Sequence, residues 1–163
     1  MTVKVSIILL FLYVSMSLMA QRQTIITFNC ENAFDTIAAK GKDDDFYPQS
    51  THHWNTWRYR HKLNDICKVI MAADTRQPVM LACLQEIEND SVMYDLVNRT
   101  PLHGIGYRYI MTHSADARGI NIGIIYSPSV FKLLQTYSLR ASTEHPTRDI
   151  LYAEGLTLGG DTL

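Results

Sequence analysis

The chain of 163 residues contains no apolar run long enough to cross a bilayer comfortably. It contains no cysteine or histidine pair at metal-ligand spacing: Cys30, Cys67 and Cys83 stand apart, and His52, His53, His61, His103, His113 and His145 are scattered. A structural zinc site therefore lacks its ligands, and no histidine is assigned to catalysis. There is no surplus of positive charge, since 15 Lys+Arg against 16 Asp+Glu leave a net charge of −1. That balance argues against a protein that holds nucleic acid by phosphate neutralisation alone. It leaves room for a nuclease, because a bound divalent cation supplies positive charge locally, and it suits small phosphate esters equally well. Internal repeats, low-complexity segments and linkers are absent, so the chain reads as one domain's worth of sequence. At 47% hydrophobic residues it can bury a core.

What is present begins with an export signal. Lys4 is followed by the apolar stretch 5–14 and then by small and polar residues up to Ala20-Gln21. A positive n-region, a short h-region and an Ala before the cut describe a secretory signal over residues 1–20. Leu18, three positions before that cut, is larger than usual, so an uncleaved anchor stays open; no Cys follows the h-region to carry a lipid. Cleavage removes only Lys4 from the charged residues, leaving 14 Lys+Arg against 16 Asp+Glu, a net charge of −2 on residues 21–163. The expected location is periplasmic or extracellular. Three cysteines in an exported chain allow one bridge with one thiol left over; three buried thiols are the expectation.

Periodicity supplies the elements. Thr24 to Phe28 is β-branched and aromatic, as a strand requires. Asn32 to Ala39 suits a short helical turn, and Lys40 to Trp54, with Gly41, Pro48 and Asp43-Asp44-Asp45, a solvated loop. Thr56 to Ala73 carries Leu63, Ile66, Cys67 and Ile70 at i, i+3, i+4 and i+7, a helix with Thr56 as its N-cap. Val79 to Cys83 is apolar on both faces, as in the middle of a covered sheet. Glu88 to Arg99 reads as a second helix, ended by Pro101 and Gly104. Tyr107 to Thr112, Ile120 to Tyr126, Val130 to Leu139 and Asp149 to Leu158 read as strands. The short connections in this later half suit antiparallel pairing.

Chemistry concentrates where strands end. Leu84-Gln85-Glu86-Ile87 terminates the Val79 strand on a carboxylate, and Thr24 to Phe28 runs into Asn29-Cys30-Glu31-Asn32-Ala33-Phe34-Asp35. Ser114-Ala115-Asp116-Ala117-Arg118-Gly119 leads into the Ile120 strand. Open α/β sheets build their sites at such rims, and a carboxylate on a rigid strand end is a good ligand for a hard cation. The same residues also serve plainer purposes: Asn29 can cap the following turn, Asn32 and Asp35 can start a helix, and Arg118 and Arg148 can pair with surface acids.

Together, Phe28-Asn29-Cys30-Glu31-Asn32 and Leu84-Gln85-Glu86 resemble the first two motifs of the endonuclease/exonuclease/phosphatase superfamily, which includes deoxyribonuclease I, abasic-site endonucleases, inositol-phosphate phosphatases and sphingomyelinases. The resemblance runs from about Thr24 to the last residue. It implies an α/β fold in which two mixed β-sheets pack together with helices outside, a four-layer sandwich that this chain would fill incompletely. It implies a divalent cation, Mg²⁺ or Mn²⁺, at Glu86, with Asn29 beside it and Glu31 adding a second carboxylate directly or through water. It implies Arg118 and Arg148 as phosphate ligands, and a phosphate-ester substrate, nucleic acid among the candidates.

The family's later motifs, Gly-Asp-x-Asn and Ser-Asp-His, are missing; Gly160-Asp161-Thr162-Leu163 has Leu163 where the Asn belongs. Members of the family run longer than this chain, and Gly159 to Leu163 looks like a turn between two strands. The expectation is the N-terminal part of the domain over residues 21–163, with no catalytic base assignable within it. The resulting function is that of an exported, metal-dependent phosphoester hydrolase represented by a truncated chain. Two other readings stand beside it: a catalytically inactive fragment, and an exported non-enzymatic α/β binding domain.

Overall fold

A computed structural model of the chain describes residues 22–38, 45–142 and 144–163. The signal expected over residues 1–20 lies outside them, as do Ala39 of the predicted helical turn and residues 40–44 of the predicted loop.

Nine residues, Ile25–Ala33, form β1, and Leu81–Ile87 form β2. They pair in parallel, from Ile25 opposite Leu81 to Asn29 opposite Gln85. Parallel neighbours need a crossover, which α1, Thr56–Ala73, supplies. Its buried residues are Tyr59, Leu63, Ile66, Cys67 and Ile70, the predicted stripe with one tyrosine added. The cap is Asn55 rather than Thr56. Asn55 is extended, at φ −108° and ψ 172°, and its side chain accepts the Arg58 N–H, while Thr56 is already helical. Helix α2 runs Asp90–Asn98 behind the cap Asn89, two residues later than expected. Glu88 is held back by its own N–H, which donates to the Ala33 carbonyl across the strands. A 3₁₀ turn over Pro101–Ile105 follows, closed by Gly106 at φ +78°.

Strand β3, Arg108–Met111, and β4, Asn121–Tyr126, complete the first sheet, whose spatial order is β1-β2-β4-β3. β2 and β4 are antiparallel, as are β3 and β4. β2 is therefore central, and successive residues divide between two cores. Val79, Ala82 and Leu84 pack with α1 and α2; Met80, Leu81 and Cys83 pack on the opposite face. That second face is covered by an antiparallel pair, β5, Phe131–Leu139, and β6, Ile150–Thr157, through Phe131, Leu133, Leu151 and Ala153. The described layers are thus helices, mixed sheet and second sheet. Gly155 lets β6 lie close against β5: a Cβ there would lie 2.3 Å from Cζ of Phe131 and 2.6 Å from the Lys132 carbonyl. After a turn at Gly160, φ +85°, Leu163 exchanges two 3.0 Å hydrogen bonds with Gly155 on the free side of β6. All three cysteines are free; Cys30 and Cys67 are buried and Cys83 is half-buried.

Candidate functional site

Topology brings three segments to one rim of the first sheet. The carboxyl ends of β1 and β2 lie there because the strands are parallel, and the β3–β4 connection lies there because β3 runs in the same direction as they do and β4 returns from that rim. The rim therefore collects residues 29–35, 86–89 and 112–121.

The expected helical turn at 32–39 is not formed among the described residues. β1 continues to Ala33, but Glu31 and Asn32 adopt φ +51° and +62°, left-handed values uncommon for residues other than glycine. Asn32 and Asp35 start no helix. Asp35 Oδ1 instead accepts the Ile37 N–H at 2.6 Å, closing a local turn. The same distortion breaks the alternation that would have put Glu31 on the side of Asn29, and the register with β2 shifts between Asn29 and Ala33.

Glu86 ends β2 in a left-handed conformation as well, at φ +62°. Its Oε2 accepts the Asn32 N–H at 3.1 Å, and its Oε1 lies 4.0 Å from Nη2 of Arg118. The Glu86 side chain is 13% exposed and that of Arg118 57%. Arg118 is turned at its own backbone, since its N–H donates to Asp116 Oδ1 at 2.9 Å, and its Nε lies 4.0 Å from the same oxygen. Both ion pairs are at the long limit of contact, so the guanidinium keeps its forked N–H donors for an oxyanion. Asn29 is exposed, and its Oδ1 accepts the Glu31 N–H at 2.7 Å. This is the turn-capping role, and it leaves the amide NH₂ turned to solvent. The Glu31 side chain is exposed, and its carbonyl accepts from Nζ of Lys62 at 3.0 Å.

Glu86, Asn29, Glu31 and Arg118 are thus brought to one rim. Arg148 is not joined to them. It is half-buried, two residues before β6 in the second sheet, and has no ion pair among the described residues.

Sequence reasoning passed over the polar scaffold behind the rim. Glu88 Oε2 accepts the Asp35 N–H at 2.7 Å, and Asn89 donates to Asp35 Oδ2 at 3.1 Å. Asn121 donates to the Glu88 carbonyl at 2.7 Å and accepts the Ser114 N–H at 2.7 Å. Asp35, Glu88, Asp116 and Asn121 are all at most 8% exposed. Asp116 was detectable as an Asp two residues before Arg118-Gly119, the spacing of a side-chain-closed turn; the others carry no local signal. Beside this scaffold is a cleft of about 260 Å³ lined by Phe34, Asn89, His113 and Ser114, with His113 Nε2 2.5 Å from Asp90 Oδ2. Two larger clefts, of about 550 and 440 Å³, lie between the helices and near the amino end of β2, and neither includes Glu86.

Close to Glu86, Cys30 is buried and its thiol is pushed up to about 12. Burial is the main cause; Lys62 opposes the shift and the Glu86 charge adds to it. Glu86 and Lys62 thus both act on the interior below the rim.

The donor set can be tested against a divalent cation. Among the described residues no three His, Cys, Asp or Glu side chains converge to hold a metal. Mg²⁺, however, takes one or two carboxylates and keeps several waters. A single carboxylate on a rigid strand end, with an exposed second carboxylate and an amide in the adjoining turn, fits that habit.

A mixed sheet carrying helices on one face and a second sheet on the other, with polar groups gathered at strand ends, is the α/β sandwich class. Within it, this chain belongs to the Endonuclease/Exonuclease/phosphatase family, whose sequence model matches residues 24–163. No curated protein matches the chain in sequence. Among solved structures it is similar to a humanized TDP2 of D. rerio, at 20% identity and a TM-score of 0.52, over 86% of this chain and 43% of that one. The D. rerio TDP2 solved with a single-strand DNA product is similar at 19% identity, TM-score 0.52, with the same coverage. A family protein from Bacteroides thetaiotaomicron is similar at 15% identity, TM-score 0.53, over 85% of this chain and 45% of that one. The chain therefore spans less than half the length of these structures.

Proposed function

We propose that the chain is the metal-binding part of a divalent-cation-dependent phosphoester hydrolase, a nuclease, phosphodiesterase or phosphatase exported by its N-terminal signal. The observation that carries this reading is Glu86: a carboxylate mostly shielded from solvent, fixed at a strand end by the Asn32 N–H, with Arg118 at 4.0 Å. Glu86 would hold Mg²⁺ or Mn²⁺, Glu31 would support it through water, and Asn29 would donate its free amide N–H to a phosphoryl oxygen. When bound, the cation supplies positive charge to the phosphoryl and leaving oxygens. Arg118 would neutralise the phosphate, and Arg148 would do so once brought near. No described residue is assigned as the base. A family structure with bound single-strand DNA makes nucleic acid one candidate substrate.

The test separates binding from turnover. Mn²⁺ titration by calorimetry should give a site that Glu86→Gln weakens at least tenfold; equal affinity in the variant rejects the metal role of Glu86. Mn²⁺-stimulated hydrolysis of bis(p-nitrophenyl) phosphate is then measured on the same chain. Metal binding without hydrolysis favours the non-catalytic reading.

A further inference from the structure

Because β1 ends at the rim and α1 returns from it, the first turns of α1 stand beside Glu86, and Lys62 Nζ reaches the Glu31 carbonyl at 3.0 Å. The outer side of these turns has an unusual makeup. Trp57 is 71% exposed and stacks on His61, one helical turn on, with ring centroids 5.2 Å apart and planes 7° off parallel. Arg58 and Lys62 run alongside at the same i, i+4 spacing. Their charged ends donate to backbone carbonyls, Arg58 Nη1 to His52 at 2.7 Å and Lys62 to Glu31. Among the described residues neither forms an ion pair, although the Lys68 hydrogen bond, and with it the Lys62 charge, holds the Asp65 carboxyl below its usual range. The acid at the far end, Asp65, is already paired with Lys68 at 2.8 Å and lies 3.3 Å from His61.

A flat, exposed aromatic face flanked by unpaired cations is what a single-stranded polynucleotide binds: bases stack on rings, phosphates meet the cations. Trp57 contributes nothing to the buried core and touches only His61 among the described aromatic rings. We propose that the Trp57–His61 face with Arg58 and Lys62 is a track for single-stranded nucleic acid, delivering a phosphodiester to the Glu86 rim. The inference rests on the phosphoester reading of Glu86 and names the substrate class. A net charge near neutral is compatible with it, because only a few cations on one helix are needed.

The experiment uses the whole chain in EDTA, so that no metal and no turnover intervene. A thymidine oligonucleotide of about 12 nucleotides is titrated while tryptophan emission is followed; Trp57 is the exposed reporter, Trp54 being half-buried. Quenching with micromolar affinity is expected. Trp57→Ala should weaken binding, followed by oligonucleotide anisotropy, about 5- to 100-fold, the loss of one base stack. Arg58→Ala with Lys62→Ala should lower the log–log salt slope by roughly 1.4, two phosphates on a single strand. Absence of quenching, Trp57→Ala binding within twofold of wild type, or equal binding of polyglutamate or duplex overturns the track. Hydrolysis of the small ester without oligonucleotide binding leaves the Glu86 reading intact and rejects the track. Oligonucleotide binding with no metal site at Glu86 does the reverse.

Discussion

Glu86, Glu31 and Asn32 all occupy the left-handed region, where a side chain costs about 1 kcal/mol or more. Three such residues at one rim are sustained by the hydrogen bonds they make possible, above all Asn32 N–H to Glu86. This explains what could and could not be read in advance. The placing of Glu86 and Asn29 toward the ends of their strands was legible because a carboxylate or amide closing an apolar strand is a local pattern. The turn after Asn29 was not, since nothing in Glu31-Asn32 announces two successive left-handed residues, and the polar run looked helical. Arg148 was legible only as an Arg before a strand, and that does not fix which sheet's rim it meets.

Cys30 gives a prediction at the same scale. Its thiol is raised from 9.0 to about 12, so the folded state keeps the proton that the unfolded chain releases above pH 9. Its contribution to stability is complete below pH 9 and is lost as pH rises from about 9 to about 12. The slope approaches 1.4 kcal/mol per pH unit for this one group. Urea unfolding at pH 8 and pH 10.5 should show a smaller fall in Cys30→Ala than in wild type; parallel falls would refute it.

At the scale of elements, the helices and strands followed their periodicity closely because the periods reflect burial. Leu63, Ile66, Cys67 and Ile70 face the core, as their spacing demanded. Boundaries slipped where long-range bonds decide: Glu88 stays outside the helix, its N–H bonded to Ala33, a partner 55 positions away. The close pairing of β6 with β5 depends on a glycine that no pattern singles out. Gly155→Ala would drive a methyl into the Phe131 ring and the Lys132 carbonyl, with an expected loss of about 1–3 kcal/mol in urea unfolding. Gly123 is the control: a Cβ there meets Met93 Cε at 2.7 Å, the end of a flexible side chain that can move. Gly123→Ala should lose less, about 1 kcal/mol. Equal losses would show that the approach of β6 to Phe131 is not what makes Gly155 necessary.

At the scale of the molecule, the central strand β2 is what unites the parts. It contributes side chains to both cores and carries Glu86 next to its last residue, so the carboxylate is anchored by a strand with no exposed position. Even before its pairing partners were known, an apolar stretch on both faces implied two covering layers, and the helices and the β5–β6 pair are those layers. The sequence could not show how much of each layer is present, because a strand's pattern records its neighbours above and below but not those at its side.

The outward side of β5 and β6 carries Tyr137 stacked on Tyr152 at 4.5 Å, with Leu139 and Ile150 in register beside them and 48% and 56% exposed. In colloidal terms that side is an adhesive: such contiguous apolar surface is rare on freely dispersed molecules. The purified chain should brighten a hydrophobic dye such as ANS in its native state and scatter more light as concentration rises. Tyr137→Lys with Ile150→Lys should suppress both without lowering the unfolding midpoint. Handling the protein will therefore be governed less by how well it folds than by what this one face touches.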